Sequence, residues 1–416
     1  MNAALSSDDV VIVGAGIVGI CIAAHLIEVG HAVTVIDRTG ISEETSSGNA
    51  AAFAFSDVLP LAQKGMIRNL PKWLADPLGP LSIPPAYLPQ LAPWLWRFWR
   101  AGAAKHRDAS LAAQAAMMRL AEVEWAGLMD RSGTATMLRE DGSLELYESE
   151  AEFAASLPGW AARDRFGIVY RHVEGKELTG LQPGLAPRFV KGTFVPGWKT
   201  VADPKLLGKA VWAYAEKKGA RFERGEVVRV EAGAGGATLH LADGSSRKAA
   251  KLVVAAGAWS HLLARQLREA IPLETERGYN TTLPADAFDV KRQLIFSGHG
   301  FVITPLSTGL RIGGAVELAG LKRPPNYARS RAMLEKAKRF LPGLKAEGGG
   351  EWMGFRPSLP DSLPVIGPAR APGVFYAFGH GHLGLTQAAA TGRLVRDLIA
   401  GQAAAIDIRP FRAQRF

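Results

Sequence analysis

The stretch that most constrains this chain is Val10-Val11-Ile12-Val13 running into Gly14-Ala15-Gly16-Ile17-Val18-Gly19. Four β-branched residues in a row suit a parallel strand buried on both faces, and the run stops abruptly at glycine. Over 16–29 the apolar spacing turns helical, Gly30 supplies a stop, and 31–36 reads as a second strand ending at Asp37. The three glycines have separate tasks: Gly14 permits the tight turn, Gly16 lets the backbone approach a pyrophosphate, and Gly19 lets helix and strand pack closely. The spacing therefore predicts a strand-helix-strand dinucleotide-binding unit with the helix N-terminus aimed at the phosphates. Asp37 is placed to accept hydrogen bonds from the adenosine ribose, and an acid there disfavours a 2′-phosphate.

A hydropathy window would flag 10–27 as membrane-spanning, because its only ionisable residues are Cys21 and His25. The glycine spacing argues for the soluble unit instead. Cys21 is expected to be a buried thiol and His25 a helix-surface histidine, neither with a chemical role. As the only cysteine, Cys21 leaves no intramolecular disulfide and no cysteine-based metal site, and no metal is expected. Residues 1–9 carry two aspartates and no Lys or Arg, the wrong charge for a secretory leader, so a cytoplasmic location is expected.

The chain has 416 residues, suited to two domains of about 150 residues each plus insertions. Hydrophobic residues make up 48% and charged residues 21%, which excludes a disordered chain. A net charge of +10 invites an acidic partner, but the basic residues are scattered and no nucleic-acid motif accompanies them. No nucleic-acid partner is expected.

FAD is favoured over NAD by the rest of the chain. Thr45-Ser46-Ser47-Gly48-Asn49-Ala50-Ala51 is small and polar enough to wrap donors around a pyrophosphate. Lys251-Leu252-Val253-Val254 reads as another buried strand, ending in the small-residue turn Ala255-Ala256-Gly257-Ala258-Trp259. No second glycine fingerprint in strand context follows, and Gly233-Ala234-Gly235-Gly236 looks like a hairpin loop. One dinucleotide site leaves no Rossmann unit for a nicotinamide, so electrons are expected to leave to another acceptor. The expected cofactor contacts are the turn 14–19, Asp37, Arg38, Ser46, Ser47, Asn49, Ala50, Val227, Ala256, Gly257 and Trp259.

Beyond Asn49 the pattern loosens. Over 59–100 the prolines at 84, 85, 89 and 93 predict loops and short helices. Helices are expected at 110–130, 150–165, 204–218 and 327–340, and strands at 142–148 and 221–231 and through 271–316. The fold class is α/β: a discontinuous Rossmann-type domain over 1–57, 200–262 and 350–416, with an interleaved α+β substrate domain over 58–199 and 263–349. Pro93-Trp94-Leu95-Trp96-Arg97-Phe98-Trp99-Arg100 has the composition of an interfacial membrane anchor and equally of a buried aromatic cluster.

Taken together, VIVGAGIVG with VTVIDR, ETSSGNAA, RGY at 277–279, RIGGAVEL at 311–318, GFRPSLPDSLPVIG at 354–367 and GHGHLGLT at 379–386 resemble the D-amino-acid oxidase superfamily. Within it they are most similar to bacterial FAD-dependent D-amino-acid dehydrogenases, across nearly the whole chain. The resemblance implies that Arg356 clamps a substrate carboxylate, a task suited to a planar guanidinium fork. It implies that Gly379, His380, Gly381, Gly384, Leu385 and Thr386 form a closing loop along the flavin, with backbone donors at its electron-rich edge. His382 departs from the threonine expected there. Asn49 stands where some amine dehydrogenases of the superfamily carry the histidine that links FAD covalently, so noncovalent FAD is expected. Tyr279, His299 and His382 are further pocket candidates.

The implied reaction is hydride transfer from Cα of a small amino or imino acid, with a quinone or redox protein as acceptor and peripheral membrane contact as an option. Three alternatives stay open on the sequence: a glycine- or sarcosine-type oxidase using oxygen, a dehydrogenase of cyclic imino acids such as D-proline, and a flavin-binding subunit of a larger complex.

Overall fold

A computed structural model describes residues 9–62, 78–233 and 235–416. At its centre is a six-stranded sheet in the order Arg221–Arg224, Ala32–Asp37, Asp9–Val13, Lys251–Val254, Val374–Phe378, Val365–Pro368. The first five strands run parallel and the last turns back antiparallel. Val10 to Val13 are all buried, because helices cover one face of the sheet and the other packs on a three-stranded antiparallel sheet. A parallel sheet needs such cover, and the alternation-free β-branched run reflects it.

Helix Ile17–Ile27 packs against helix Gly384–Ile399 and helix Pro204–Lys217. Asp203 caps the last of these through Leu206 N at 2.9 Å, with Pro204 where the first turn needs no amide. His25 is not on the helix surface as expected. It is fully buried, with Nδ1 at 2.8 Å from Cys21 O and Nε2 at 3.3 Å from Glu124. The reason is helix Ala104–Ser132, which lies across this layer and brings Met117, Ala121 and Trp125 into the same core. Trp125 Nε1 donates to Leu385 O at 2.9 Å and Thr386 O at 3.0 Å, so this helix sits with the dinucleotide-binding layer rather than with the substrate domain assigned to 58–199.

The second large sheet is mixed and nine-stranded, running Gly350–Ser358, Glu274–Leu283, Gly309–Leu318, Phe301–Leu306, Gln293–Phe296, Ser143–Tyr147, Lys191–Val195, Arg171–Glu174, with Leu81–Ser82 alongside Gly309–Leu318. Helix Ala328–Phe340 covers one face through Met333, Ala337 and Phe340. Gly350–Ser358 pairs along its whole length with Glu274–Leu283, so the chain rejoins the six-stranded sheet only at Val365, later than the expected boundary at 350. The expected strand over 221–231 is two strands in different sheets: Arg221–Arg224 edges the parallel sheet and Val227–Gly233 starts a hairpin with Gly236–Leu241.

Helix Leu88–Ala101 is continuous through Pro93, against the expectation of short broken pieces. Pro89 lies in the first turn, where amides have no partner, and Pro93 removes a single bond near that end. Leu91 and Trp94 then seat the helix on Ile83 and Leu318. The tryptophans divide: Trp94 is buried and stacks on Phe98 at 5.1 Å, while Trp96 and Trp99 are 54% and 61% exposed.

Candidate active site

One cavity of about 1530 Å³ runs from the first glycine turn, between the two sheets, to the inner side of helix Leu88–Ala101. At the glycine end, Gly14 has φ +114°, and a Cβ there would overlap Ala255 O. A Cβ at Gly19 would overlap the carbonyl oxygen of Gly14, which confirms the close helix-strand contact read from the spacing. Gly14, Gly16, Ile17 and Val18 line the cavity, whereas Ala15 and Gly19 are buried behind them. Asp37 ends its strand at the cavity, accepting from Ala15 N and Thr39 N, each at 2.8 Å. Arg38 lies over the Trp259 ring at 4.0 Å and pairs with Glu44 at 2.9 Å. Val227, Ala256, Gly257 and Trp259 complete this end.

The loop after the second strand closes over the helix N-terminus. Ser46 Oγ accepts from Ile17 N at 2.9 Å, and Asn49 folds the loop by bonding Ser46 O and Ala51 N. Ser46, Asn49 and Ala50 face the cavity. Ser47 does not, because its hydroxyl is turned to the carbonyls of Glu43 and Glu44. The second sheet anchors the loop from its other side: Asn280 Nδ2 donates to Gly48 O at 2.8 Å, Arg311 to Asn49 O at 2.6 Å, and Gln293 and Thr304 to Ala50 O. The indole of Trp352 lies so close to Gly48 and Gly354 that a Cβ at either would overlap it. Sequence reasoning missed these anchors, since each is an ordinary polar or aromatic residue until strand register brings it to the loop.

From the C-terminal motif, His380, Gly381, His382, Gly384 and Leu385 line the cavity. Gly379 and Thr386 support them from behind. A Cβ at Gly379 would overlap Leu359, and Thr386 Oγ1 bonds Ala54 N and Ala52 O at 3.0 and 3.2 Å. Full burial pushes the His380 imidazole down to about 3, so it stays neutral with Nε2 at 2.9 Å from Thr391 Oγ1. His382 Nε2 lies 3.1 Å from Asp57 Oδ2. Burial works to raise the Asp57 carboxyl, but His382 and Arg163 together hold it below the usual range.

Arg356 projects from Gly350–Ser358 across Gly278, with its half-buried side chain facing the cavity. Nη1 and Nη2 donate to the carbonyls of Ala315 and Gly314 at 3.1 and 3.4 Å, and a Cβ at Gly278 would fall on the guanidinium itself. Among the described residues no carboxylate lies within ion-pair distance of it. The other two candidates are placed differently. The Tyr279 hydroxyl is bonded to the Glu317 carboxylate and to Asn326 N, and burial pushes it up to about 12, so although the residue touches the cavity its phenol is committed elsewhere. His299 does not line the cavity: Nε2 is 2.9 Å from Glu148 and the ring packs on Phe340.

A parallel sheet with a glycine turn, an acid ending its second strand and a second sheet enclosing the far end of one cavity has the architecture of a flavoprotein oxidoreductase. The chain belongs to the FAD dependent oxidoreductase family, which matches residues 9–398. It is 33% identical to a D-amino-acid oxidase of Bradyrhizobium diazoefficiens over 98% of both chains. It is 31% identical to a D-amino acid dehydrogenase of Sinorhizobium medicae, over 98% of this chain and 99% of the relative. The fold is that of glycine oxidase from Geobacillus kaustophilus, with a TM-score of 0.75, 23% identity and 98% of both chains covered. The residues present fit FAD: the Gly14–Ala255 approach leaves room for backbone only, and the cavity exceeds the roughly 300–1,000 Å³ of a single small ligand.

Proposed function

We propose that this chain oxidatively deaminates a D-amino acid or D-imino acid, with Arg356 holding the substrate carboxylate and FAD bound noncovalently. The observation that carries this reading is the Arg356 guanidinium: cationic at any ordinary pH, opening on the cavity, bonded only to carbonyls and, among the described residues, within ion-pair distance of no carboxylate, with Glu276 acting on it from farther off. A guanidinium that faces a cavity and is bonded only to neutral carbonyls leaves its fork open to an anionic ligand. FAD, when bound, takes up the Cα hydrogen with its electron pair.

The chain's own residues orient and enclose. Gly14 and Gly16 would leave room for a pyrophosphate at the helix N-terminus, where Ser46 already accepts from the Ile17 amide; Asp37 would meet the ribose, and Arg38 with Trp259 would border the adenosine. The His380–Leu385 segment, which lines the cavity, would border the flavin ring when FAD is bound. Arg356 fixes the carboxylate so that Cα–H has one direction to face, and positioning of this kind can supply much of the barrier reduction. His382, paired with Asp57, borders the substrate space. The product imine is hydrolysed by water to a 2-oxo acid.

Asn49 supports noncovalent binding, since its amide is used to fold the loop and offers no nucleophile. For the acceptor we propose a quinone or a redox protein reached from the face bearing Trp96 and Trp99, with the protein cytoplasmic and in peripheral contact with the membrane. The relative named D-amino-acid oxidase favours oxygen as the second reading. The test is a panel of D- and L-amino acids, glycine, sarcosine and D-proline, mixed without oxygen while flavin absorbance is followed. Bleaching by D-amino acids is expected. Dye or quinone reduction set against hydrogen peroxide formation then separates the acceptors, and flavin that stays oxidised with every D-substrate would overturn the proposal.

A further inference from the structure

Glu276 stands directly opposite Arg356 in the antiparallel pairing of Glu274–Leu283 with Gly350–Ser358. Opposed residues of such strands keep their Cβ atoms about 4.5–5.5 Å apart on one face of the sheet. Both side chains line the same cavity. They do not pair with each other: the Arg356 guanidinium leans over Gly278 to the carbonyls of Gly314 and Ala315, which leaves the Glu276 carboxylate beside it. Among the described residues Glu276 accepts no hydrogen bond and joins no ion pair; the charge it acts on is the Arg356 guanidinium across the strand pair.

The Glu276 carboxylate opens on the cavity, where a ligand can supply the donors that the protein does not. The neighbours offer no substitute. Leu318 faces Glu276 from the other adjacent strand. Glu274, the next residue on the same face, is held by the Tyr87 hydroxyl at 2.9 Å, and burial raises its carboxyl. A cation on one side and an unpartnered anion on the other, within one residue's width, match a molecule carrying both charges on adjacent atoms.

We propose that Glu276 binds the α-amino group of the substrate whose carboxylate Arg356 holds, and accepts one proton from it. This rests on the deamination reading above. The substrate enters as a zwitterion. One N–H proton passes from the ammonium nitrogen to a Glu276 carboxylate oxygen, leaving a neutral amine with a free lone pair. The Cα–H bond then breaks, its hydrogen and electron pair go to FAD, and the nitrogen lone pair forms the second carbon–nitrogen bond of the iminium. Glu276 thus also sets specificity: a 2-hydroxy acid of the same shape offers it one neutral O–H donor in place of a charged ammonium.

The experiment uses the FAD-loaded enzyme and the variants Glu276→Gln and Glu276→Leu, with flavin content as the check on folding. D-Alanine, D-methionine and D-phenylalanine are each compared with the acid lacking the amino group, by calorimetric binding and by the pH profile of kcat/KM. Glu276→Gln should weaken binding of the amino acids about tenfold or more, the scale of a lost charge-assisted hydrogen bond. The deaminated acids should bind equally well or more tightly, and the pH profile should move up toward the free amine's own ionisation. Glu276→Leu should do the same more strongly. Parallel loss of both ligand classes would make Glu276 a support for Arg356 and overturn the proposal, as would unchanged amino-acid binding. A wild-type flavin that no D-amino acid reduces would instead sink the deamination reading itself.

Discussion

At the glycine-turn end of the cavity, the surface is largely backbone from residues close together in sequence. At the Arg356 end, it is side chains delivered by three strands and a helix that are far apart in the chain. Gly14 and Gly19 do their work by lacking a Cβ, which would overlap Ala255 O at the end of the adjacent strand and the Gly14 carbonyl in the same unit, while a Cβ at Gly16 would only press on Ser46 Oγ at 3.2 Å. Arg356 works because Gly278 leaves room under its guanidinium and because the Gly314–Ala315 carbonyls, where the pairing with Glu274–Leu283 is irregular, accept its hydrogen bonds. Cofactor binding is therefore a local property of one motif, whereas substrate binding depends on register across a sheet.

If that contrast holds, the largest loss will come from the local motif. Gly19→Ala places a methyl group on the Gly14 carbonyl oxygen. Overpacking of this kind costs about 1–3 kcal/mol, and the strain falls on the turn that must meet the pyrophosphate. We expect colourless protein with a lowered Tm, measured by flavin absorbance and thermal unfolding. Normal FAD content would break the argument for this turn.

Gly278→Ala separates the two ends. Its added Cβ falls on the Arg356 guanidinium and touches nothing at the glycine turn. Displacing a positioning group by an ångström costs about a hundredfold in rate, so kcat/KM should fall by about that factor while FAD content stays normal. Loss of FAD with activity would show that the ends are not independent.

The smallest of these effects is expected for Asp37→Ala. The carboxylate already accepts from Ala15 and Thr39 and is partly exposed, so loss of its ribose contact should weaken FAD binding by about 1.5 kcal/mol, near tenfold. Titration of the apoprotein with FAD measures this. Flavin released intact on acid denaturation would accompany it, as noncovalent binding requires, whereas flavin retained on the precipitate would place a covalent link that Asn49 does not supply.

The same contrast explains what could be read from the sequence. The first strand, its glycine turn, the helix and Asp37 lie within about thirty residues, and each position has a physical reason visible in its own neighbourhood. Arg356 came into view only through resemblance, because nothing near Gly-Phe-Arg-Pro tells which cavity the guanidinium enters. Glu276, beside the RGY motif, and Gly278, within it, stayed hidden, since only the strand register that sets Arg356 opposite Glu276 and over Gly278 gives them a role. Tyr279 and His299 had suitable chemistry, but strand alternation and local packing send the Tyr279 phenol to Glu317 and the His299 ring to Phe340. The burial of His25 depended on helix Ala104–Ser132, whose docking site is not written in its own periodicity.

The most direct test of the account is rapid mixing of Arg356→Leu and Arg356→Lys with a D-amino acid in the absence of oxygen. Removing one partner of a buried charge pair costs about 3–5 kcal/mol, or about two to four powers of ten. The leucine variant should keep its FAD, show a steeply raised KM and reduce its flavin more slowly, because a carboxylate that is not held lets Cα–H swing away from the ring. The lysine variant should recover only part of the loss, since an ammonium lacks the planar two-pronged fork. Wild-type flavin reduction and KM in Arg356→Leu would contradict the account: the arginine would then be a structural bond to Gly314 and Ala315, and the carboxylate end of the site would have to be sought elsewhere in the cavity.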